Sequence, residues 1–255
     1  MILYFTGTGN SRRVANSLGI LLNERIVEIP KSSPYNLVLE GCSLGIVCPV
    51  YSWGIPPIVT DFLFHLNQIM VQEIKSKTLP VWVVLTYGDD CGEALTMMRK
   101  ALKRIGLNLS GAWGIKMPNV SVLLPGFEVD RKALERRKLE ESHARIQKIA
   151  VKISGGDWEF KVNKGSFPKL KTILTFPLFK RWGVNPRRWN VDASLCIGCG
   201  RCMNTCPVSN IALDAKMHPI WGIDCTSCCG CYHVCPVHAI NYSTLTQKKG
   251  QYHPE

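Results

Sequence analysis

The sequence predicts an α/β protein in two parts: a doubly wound, five-stranded parallel sheet, followed by a small α+β unit built around cysteines. Three observations carry this. Short apolar runs alternate with helix-periodic stretches over residues 1–155, the pattern of βαβ units. A glycine- and hydroxyl-rich turn follows the first apolar run directly. Nine of the twelve cysteines fall within the forty residues 196–235, a crowding that points to metal rather than to disulfides. With 255 residues, 46% of them hydrophobic and 20% charged, the chain can bury a real core in one or two domains.

The strands come first. Runs 2–5, 44–50 and 81–86 are almost continuously apolar, as expected where helices cover both faces of a sheet. Runs 25–29 and 109–116 are weaker strand candidates. Between them, Val14, Leu18 and Leu22 recur at helical spacing, and so do Leu95, Met98, Leu102 and Ile105, each set forming one apolar face. A further helix over 129–153 carries Leu139, His143, Ile146 and Ala150 on one stripe, where His143 reads as a packing residue rather than a ligand.

The first strand runs into Thr6, Gly7, Thr8, Gly9, Asn10 and Ser11, where a helix begins. Alternate hydroxyls, glycines that let the backbone fold closely, and free N–H groups at a helix start make an anion cradle, and the expected anion is a phosphate. A plain glycine-rich turn with a Ser cap is the alternative. No G-K-[ST] follows, and Arg12 stands at the third glycine position of the dinucleotide fingerprint, so neither of those motifs applies. Two more loops leave the carboxyl ends of the strongest strands. One is Pro49, Val50, Tyr51, Ser52, Trp53, Gly54, Ile55 and Pro56; the other is Thr86, Tyr87, Gly88, Asp89, Asp90, Cys91 and Gly92.

The run TGTGNS after a first strand resembles the phosphate loop of flavodoxins, and the resemblance extends over residues 1–155. It implies FMN as cofactor, with Thr6, Thr8, Gly9, Asn10 and Ser11, in the loop that includes Gly7, contacting its phosphate. A flavodoxin-like sheet holds its flavin outside the carboxyl ends of the strands, at the topological switch point. The resemblance further implies that the two loops enclose the isoalloxazine. Trp53 and Tyr87 suit stacking on a planar ring, with local packing beneath a loop as their alternative role. Asp89 and Asp90 are ordinarily solvated turn residues; near the ring they would disfavour the anionic reduced flavin and lower its potential. Cys91 alone among the N-terminal cysteines draws a redox suspicion, Cys42 and Cys48 reading as small hydrophobes.

The motif C-x-x-C-x-x-C-x-x-x-C-P occurs twice: Cys196, Cys199, Cys202, Cys206, Pro207, and again, 29 residues on, Cys225, Cys228, Cys231, Cys235, Pro236. Ile211 and Ile240 keep the same offset, so the unit is an internal repeat. Three thiolates on a tight loop wrap three irons of a cubane, and in this pattern the fourth cysteine crosses to the other cluster. Cys196, Cys199, Cys202 and Cys235 are therefore assigned to one [4Fe-4S] centre, and Cys225, Cys228, Cys231 and Cys206 to the second. The alternative, a pair of zinc sites, wants C-x-x-C pairs separated by a spacer. Cys229 breaks the ligand spacing if exchanged for Cys228 and reads as a packing thiol. Residues 189–245 resemble a bacterial two-cluster ferredoxin, which implies two low-potential centres close enough for rapid exchange.

Between these units, residues 156–188 form a connecting segment. Its glycines and prolines read as turns, while Phe167, Leu170, Ile173, Leu174, Phe176, Leu178, Phe179 and Trp182 make it too apolar for a free tether. It is also basic: Lys161, Lys164, Lys169, Lys171, Lys180, Arg181, Arg187 and Arg188 stand against Asp157 and Glu159. An interdomain strap, a surface for an acidic redox partner and an amphipathic membrane contact all fit. Nucleic-acid binding is not expected, because no recognised binding fold accompanies the charge. The formal charge of +12 falls to about +6 once two clusters at about −2 each and a cofactor phosphate of about −2 are counted.

Residues 2–5 carry no basic flank and no cleavage site, so a secretory signal is not expected and a reducing cytoplasm is. The longest apolar stretch, 44–59, is interrupted by Pro49, Gly54, Pro56 and Pro57, which disqualifies it as a membrane span. Together the parts resemble the flavodoxin-ferredoxin fusion family of anaerobic bacteria and archaea, with domains 1–155 and 189–255. Asp89, Asp90 and Cys91 depart from it where relatives are richer in glycine. The resemblance implies an electron-transfer protein relaying low-potential electrons among FMN, two [4Fe-4S] clusters and redox protein partners such as a ferredoxin or an oxidoreductase complex. No acid–base dyad stands out, so no catalytic residue is assigned. Two alternatives stay open: direct flavin reduction of a quinone or nitro compound, and redox sensing.

Overall fold

The structure, a computed structural model, describes residues 1–183 and 185–253, with the side chain of Trp182 left aside. The place of Trp182 in the connecting segment and the last two residues of the cysteine-rich unit thus lie outside the described residues. Six strands form one parallel sheet: β1 (Ile2–Tyr4), β2 (Ile26–Glu28), β3 (Leu44–Pro49), β4 (Val81–Tyr87), β5 (Gly111–Lys116) and β6 (Phe160–Lys161), in the order β2-β1-β3-β4-β5-β6. The first five follow the 2-1-3-4-5 order of the flavodoxin-like doubly wound fold, whose switch point lies between β1 and β3.

Burial on both faces explains the apolar runs. Along β4, Val83 and Leu85 join one core with Val59, Phe62, Met98 and Leu102, which come from helices α2 (Pro57–Phe64) and, after α3 (Gln68–Ser76), α4 (Ala94–Arg104). Trp82 and Val84 join the opposite core with Val14 and Leu18 of α1 (Asn10–Leu22) and Ile146 and Ile149 of α5 (Lys132–Ser154). Gly45 makes room for Trp82: a Cβ there would lie 2.3 Å from the indole. The buried stripe of α5 runs through Ser142, Ile146, Ile149 and Ile153. His143 is exposed, one residue off that stripe, which corrects the packing role expected for it.

The expected sheet gains a sixth strand. β6 lies in the connecting segment and pairs with β5 through Ala112 and Phe160 and through Trp113 and Lys161. Trp113 donates from Nε1 to Glu159 Oε1 at 3.0 Å and lies against Trp158, so aromatic packing fixes this short edge. Two residues carry too little periodicity to be read as a strand.

After α6 (Pro168–Leu178), a π-turn over Phe179–Gly183 and a 3₁₀ turn, the cysteine-rich unit closes on itself. Strand β7 (Trp189–Val191) pairs antiparallel with β10 (Ile240–Tyr242), and β8 (Ile211–Leu213) with β9 (Pro219–Trp221). Two five-residue helices, α7 (Arg201–Thr205) and α8 (Gly230–Val234), pack together and carry the repeat. The core of this unit includes Trp189, Tyr232 and Tyr242, together with Val122 from the loop after β5, so the two units share packing.

Candidate functional site

The carboxyl ends of β1, β3, β4 and β5 open on one cavity of about 770 Å³. Thr6, Gly7, Thr8, Asn10 and Ser11 line it. Gly9 caps α1 at φ 95°, a left-handed conformation that suits glycine. It brings no side-chain acceptor, and the first turn of α1 holds no acid, so the leading N–H groups of the helix have no competing acceptor there. Two side chains shape this turn. Thr6 Oγ1 accepts from the Gly9 N–H at 3.0 Å, and Asn10 Nδ2 donates to the Pro118 carbonyl at 3.0 Å. Ser11 and Thr86 share a hydroxyl hydrogen bond of 2.8 Å.

Pro49, Val50, Tyr51, Ser52, Thr86, Tyr87 and Gly88 also line the cavity. Tyr51 is held edge-on between Phe5 and Phe179, at centroid distances of 6.2 and 5.9 Å, and burial pushes its hydroxyl pKa well above the usual value. Ser52 and Trp53 both take left-handed φ, 45° and 61°, in a two-residue turn closed by paired Tyr51–Gly54 backbone bonds. Such turns usually rely on Asn or Gly; non-glycine residues there mark strain at the cavity rim.

Several expected contacts lie elsewhere. Trp53 and Gly54 stand outside the cavity lining: the Trp53 indole meets Phe127 edge-on at 6.0 Å, and the Gly54 backbone packs on Phe176. Gly9 faces a separate polar cleft with Arg12 and Lys31. Tyr87 points its hydroxyl over Gly114, where it accepts from the Asn163 N–H at 3.0 Å, and burial pushes its pKa up to about 12. Asp89 and Asp90 also lie off the cavity. Asp90 pairs with Lys171 at 2.8 Å, and the exposed Asp89 stands 3.8 Å from Lys138, so their charges are met by cations rather than presented to a ring. Cys91 is fully buried and its thiol is pushed up to about 11, which keeps it protonated at neutral pH and removes the redox suspicion.

Sequence reasoning missed the rest of the wall. The loop after β5 contributes residues 117–121, Leu123 and Leu124. Its signal was positional: it leaves a fifth strand at the same end as the other three loops. Asp130 fixes it, accepting from the Asn119 N–H at 2.9 Å while paired with buried Lys138 at 2.7 Å. Phe179 and the trio Ser227, Cys228 and Cys229 complete the wall from the C-terminal side.

The connecting segment docks by one face of α6. Thr172 donates to the Trp53 carbonyl and Thr175 to that of Ser52, at 3.0 and 3.2 Å. Leu170, Ile173, Leu174 and Leu178 face outward, exposed.

Two smaller cavities, of about 310 and 340 Å³, sort the repeat cysteines. Cys206, Cys225, Cys228 and Cys231, with Cys229, line the first; Cys196, Cys199, Cys202 and Cys235 line the second. Each takes three motif thiols from one copy and the fourth from the other. Gly198 and Gly200 adopt left-handed φ in the first loop, and Ser227 and Cys229 do so at the matching positions of the second. Cys229 thus occupies a site that its repeat partner gives to glycine. Among the described residues no three His, Cys, Asp or Glu side chains converge as ligands of a single metal ion would. The thiolates of a cubane each sit on a separate iron.

Cys228 and Cys229 line both the large cavity and the first cysteine cavity. The contact is intimate: a Cβ on Gly7 would fall 2.5 Å from Cys228 Cβ, and one on Gly230 would fall 2.5 Å from the Gly7 carbonyl oxygen. Burial pushes the Cys228 thiol up to about 11, so a thiolate there needs a compensating metal charge.

Residues 189–242 match the family model described as the 4Fe-4S dicluster domain. The chain joins a flavodoxin-like sheet to a dicluster domain. A ferredoxin from Pyrobaculum islandicum is 36% identical over 69 residues, covering 24% of this chain and 64% of that ferredoxin. The chain thus spans somewhat less than two thirds of that relative. Among solved structures, the Trp repressor binding protein of Bacillus subtilis shows 13% identity and a TM-score of 0.41, covering 58% of this chain and 96% of its own. Two-electron reduced flavodoxin from Megasphaera elsdenii shows 18% identity and a TM-score of 0.37, covering 57% and 99%. The fold assignment rests on the strand order rather than on these scores. Among the described residues no helix is long and apolar enough to cross a membrane.

Proposed function

We propose that this chain is a flavo-iron–sulfur electron carrier. FMN occupies the large cavity, and two [4Fe-4S] clusters are held by Cys206, Cys225, Cys228 and Cys231 and by Cys196, Cys199, Cys202 and Cys235. The residues fit these groups. The start of α1, with Thr6, Thr8, Asn10 and Ser11, offers hydroxyls and N–H groups to a phosphate, and Tyr51, Met117 and Phe179 offer apolar surface to a ring. Two pockets that each bring together four motif thiols in crossed sets, the first with Cys229 beside them, fit two cubanes.

The shared wall carries the reading. Cys228 borders both the flavin cavity and the pocket of one cluster, which makes that cluster proximal to the flavin and the Cys196 cluster distal. Bound FMN exchanges one or two electrons whereas each cubane carries one, so the order converts between the two modes. Residues 156–188 serve as the strap between domains 1–155 and 189–255, lending β6 to the sheet. Redox proteins are the partners.

Anaerobic preparation of the full chain, with iron, sulfide and flavin analysis followed by assays with carrier proteins and small acceptors, tests this. FMN, two clusters and exchange with carriers alone are expected. Zinc in place of iron, or a protein without flavin, overturns the reading; saturable turnover of a quinone or nitro compound would make the chain a reductase.

A further inference from the structure

The two cysteine pockets are unequal in a way the repeated motif hides. Three buried polar atoms, Trp189 Nε1, Trp221 Nε1 and Thr226 Oγ1, meet no oxygen or nitrogen partner among the described residues. All three residues line the proximal pocket, the one with Cys206, Cys225, Cys228 and Cys231. Each lies beside a different thiol: Trp189 by Cys225, Trp221 by Cys231 and Thr226 by Cys228. Buried donors are ordinarily hydrogen-bonded, and three around one pocket that face only cysteine sulfur point to sulfur acceptors that the pocket is built to receive.

The distal pocket lacks this shell. Its lining is otherwise apolar or glycine, with Ile197, Met217, Pro219, Val237, Ala239 and Ile240, and among the described residues Arg201 is its one polar side chain apart from the cysteines. Arg201 is exposed. The repeat makes the contrast direct: 29 residues before Thr226 stands Ile197, exposed and unable to donate.

We infer that Trp189, Trp221 and Thr226 are potential-setting donors to the sulfur atoms of the proximal cluster, raising its reduction potential and drawing an electron toward the flavin side. The inference rests on the iron–sulfur reading above. Its physical basis is simple. Reduction adds negative charge to the cluster, and donors aimed at its sulfurs stabilise the more negative state. Trp189 also stacks near Trp221, with ring centroids 6.4 Å apart and planes 17° from parallel, so the two indoles hold each other in place.

The test uses the full chain, prepared anaerobically, with Trp189→Phe, Trp221→Phe and Thr226→Val singly and together. Iron, sulfide and flavin are measured first, and the cluster potentials are then read by redox titration monitored by electron paramagnetic resonance. One of the two cluster midpoints should move to more negative potential in each variant and furthest in the triple variant, while the other stays fixed. Thr226→Ser, which keeps the hydroxyl, should restore the wild-type value, an outcome that a packing role would not produce. Fully loaded variants with both midpoints unchanged, or with both shifted together, overturn the inference. Wild-type protein without iron and sulfide would instead overturn the cluster reading itself. Thr226→Val is nearly isosteric and only partly buried, so it keeps the test decisive if an indole variant fails to fold.

Discussion

Lowering the pH from 8 to 5.5 should weaken the joint between the two units through one buried imidazole. His233 on α8 is fully enclosed, with Nε2 3.0 Å from the Val120 carbonyl and Nδ1 3.0 Å from the Tyr252 N–H. These partners fix a neutral tautomer: Nε2 carries the proton and donates, and bare Nδ1 accepts. A second proton on Nδ1 would face the Tyr252 N–H. Burial, with lesser contributions from His253 and His238, lowers the His233 pKa from 6.5 to about 4. The folded value is depressed, so the unfolded chain binds the extra proton first, and the neutral site contributes stability above pH 6.5 that is lost as pH falls toward 4. At one unit below the unfolded pKa the loss is about 1.4 kcal/mol, rising to about 3 kcal/mol near pH 4. Denaturant unfolding of the loaded protein at both pH values, compared with His233→Gln, isolates this site from the other titrating groups. Wild type should lose about 1.4 kcal/mol more than the variant between the two pH values. Equal losses in the two proteins would refute the assignment.

The remaining predictions concern the shared wall and its supports. Gly7→Ala should abolish flavin binding and displace the proximal cluster while leaving the distal one, because the new Cβ would meet Cys228 Cβ at 2.5 Å and its carbonyl at 2.8 Å; flavin and iron analysis reads both effects. Tyr252→Phe removes the 2.9 Å hydrogen bond from the tyrosine hydroxyl to Asn10 Oδ1 and should weaken FMN by about fivefold, the worth of about 1 kcal/mol, measured by fluorescence titration of flavin-free protein. Cys228→Ala should cost about half of the iron and sulfide, one cluster of two, whereas Cys229→Ala should keep both clusters. Asp89→Asn with Asp90→Asn should leave the flavin potential nearly unchanged in a redox titration, since both carboxylates lie off the cavity and face lysines.

What the sequence disclosed follows from how local the signals were. The strands β1, β3 and β4 are buried on both faces, so each appears as an apolar run, and the TGTGNS turn and the cysteine spacing are complete within a few residues. The cavity wall from residues 117–124 has no such motif; it is set by where β5 ends and by the Asp130–Lys138 pair beneath it. Trp53 misled because an aromatic in a loop beside a planar cofactor is a sound expectation only if the loop turns inward. Here the left-handed turn and the Thr172 bond to its carbonyl hold it outside the cavity lining, against Phe127. Asp89 and Asp90 have their partners 49 and 81 residues away, in Lys138 and Lys171, beyond any local pattern.

The glycines of the first turn show why the contact between the units could not be read from one motif. Gly9 is required by its own backbone, which is left-handed at the start of α1. Gly7 is required by a neighbour more than two hundred positions away: Cys228 occupies the space a side chain would take. In the sequence the two glycines look alike and both pass as phosphate-loop residues. Gly230 answers Gly7 from the other unit, since its own Cβ would strike the Gly7 carbonyl. Two absent side chains therefore let a backbone that lines the proposed flavin cavity touch the backbone that presents Cys228, a proposed cluster ligand. Any substitution that restores bulk at either position separates the cavities, and a longer gap slows electron exchange even where each cofactor still binds.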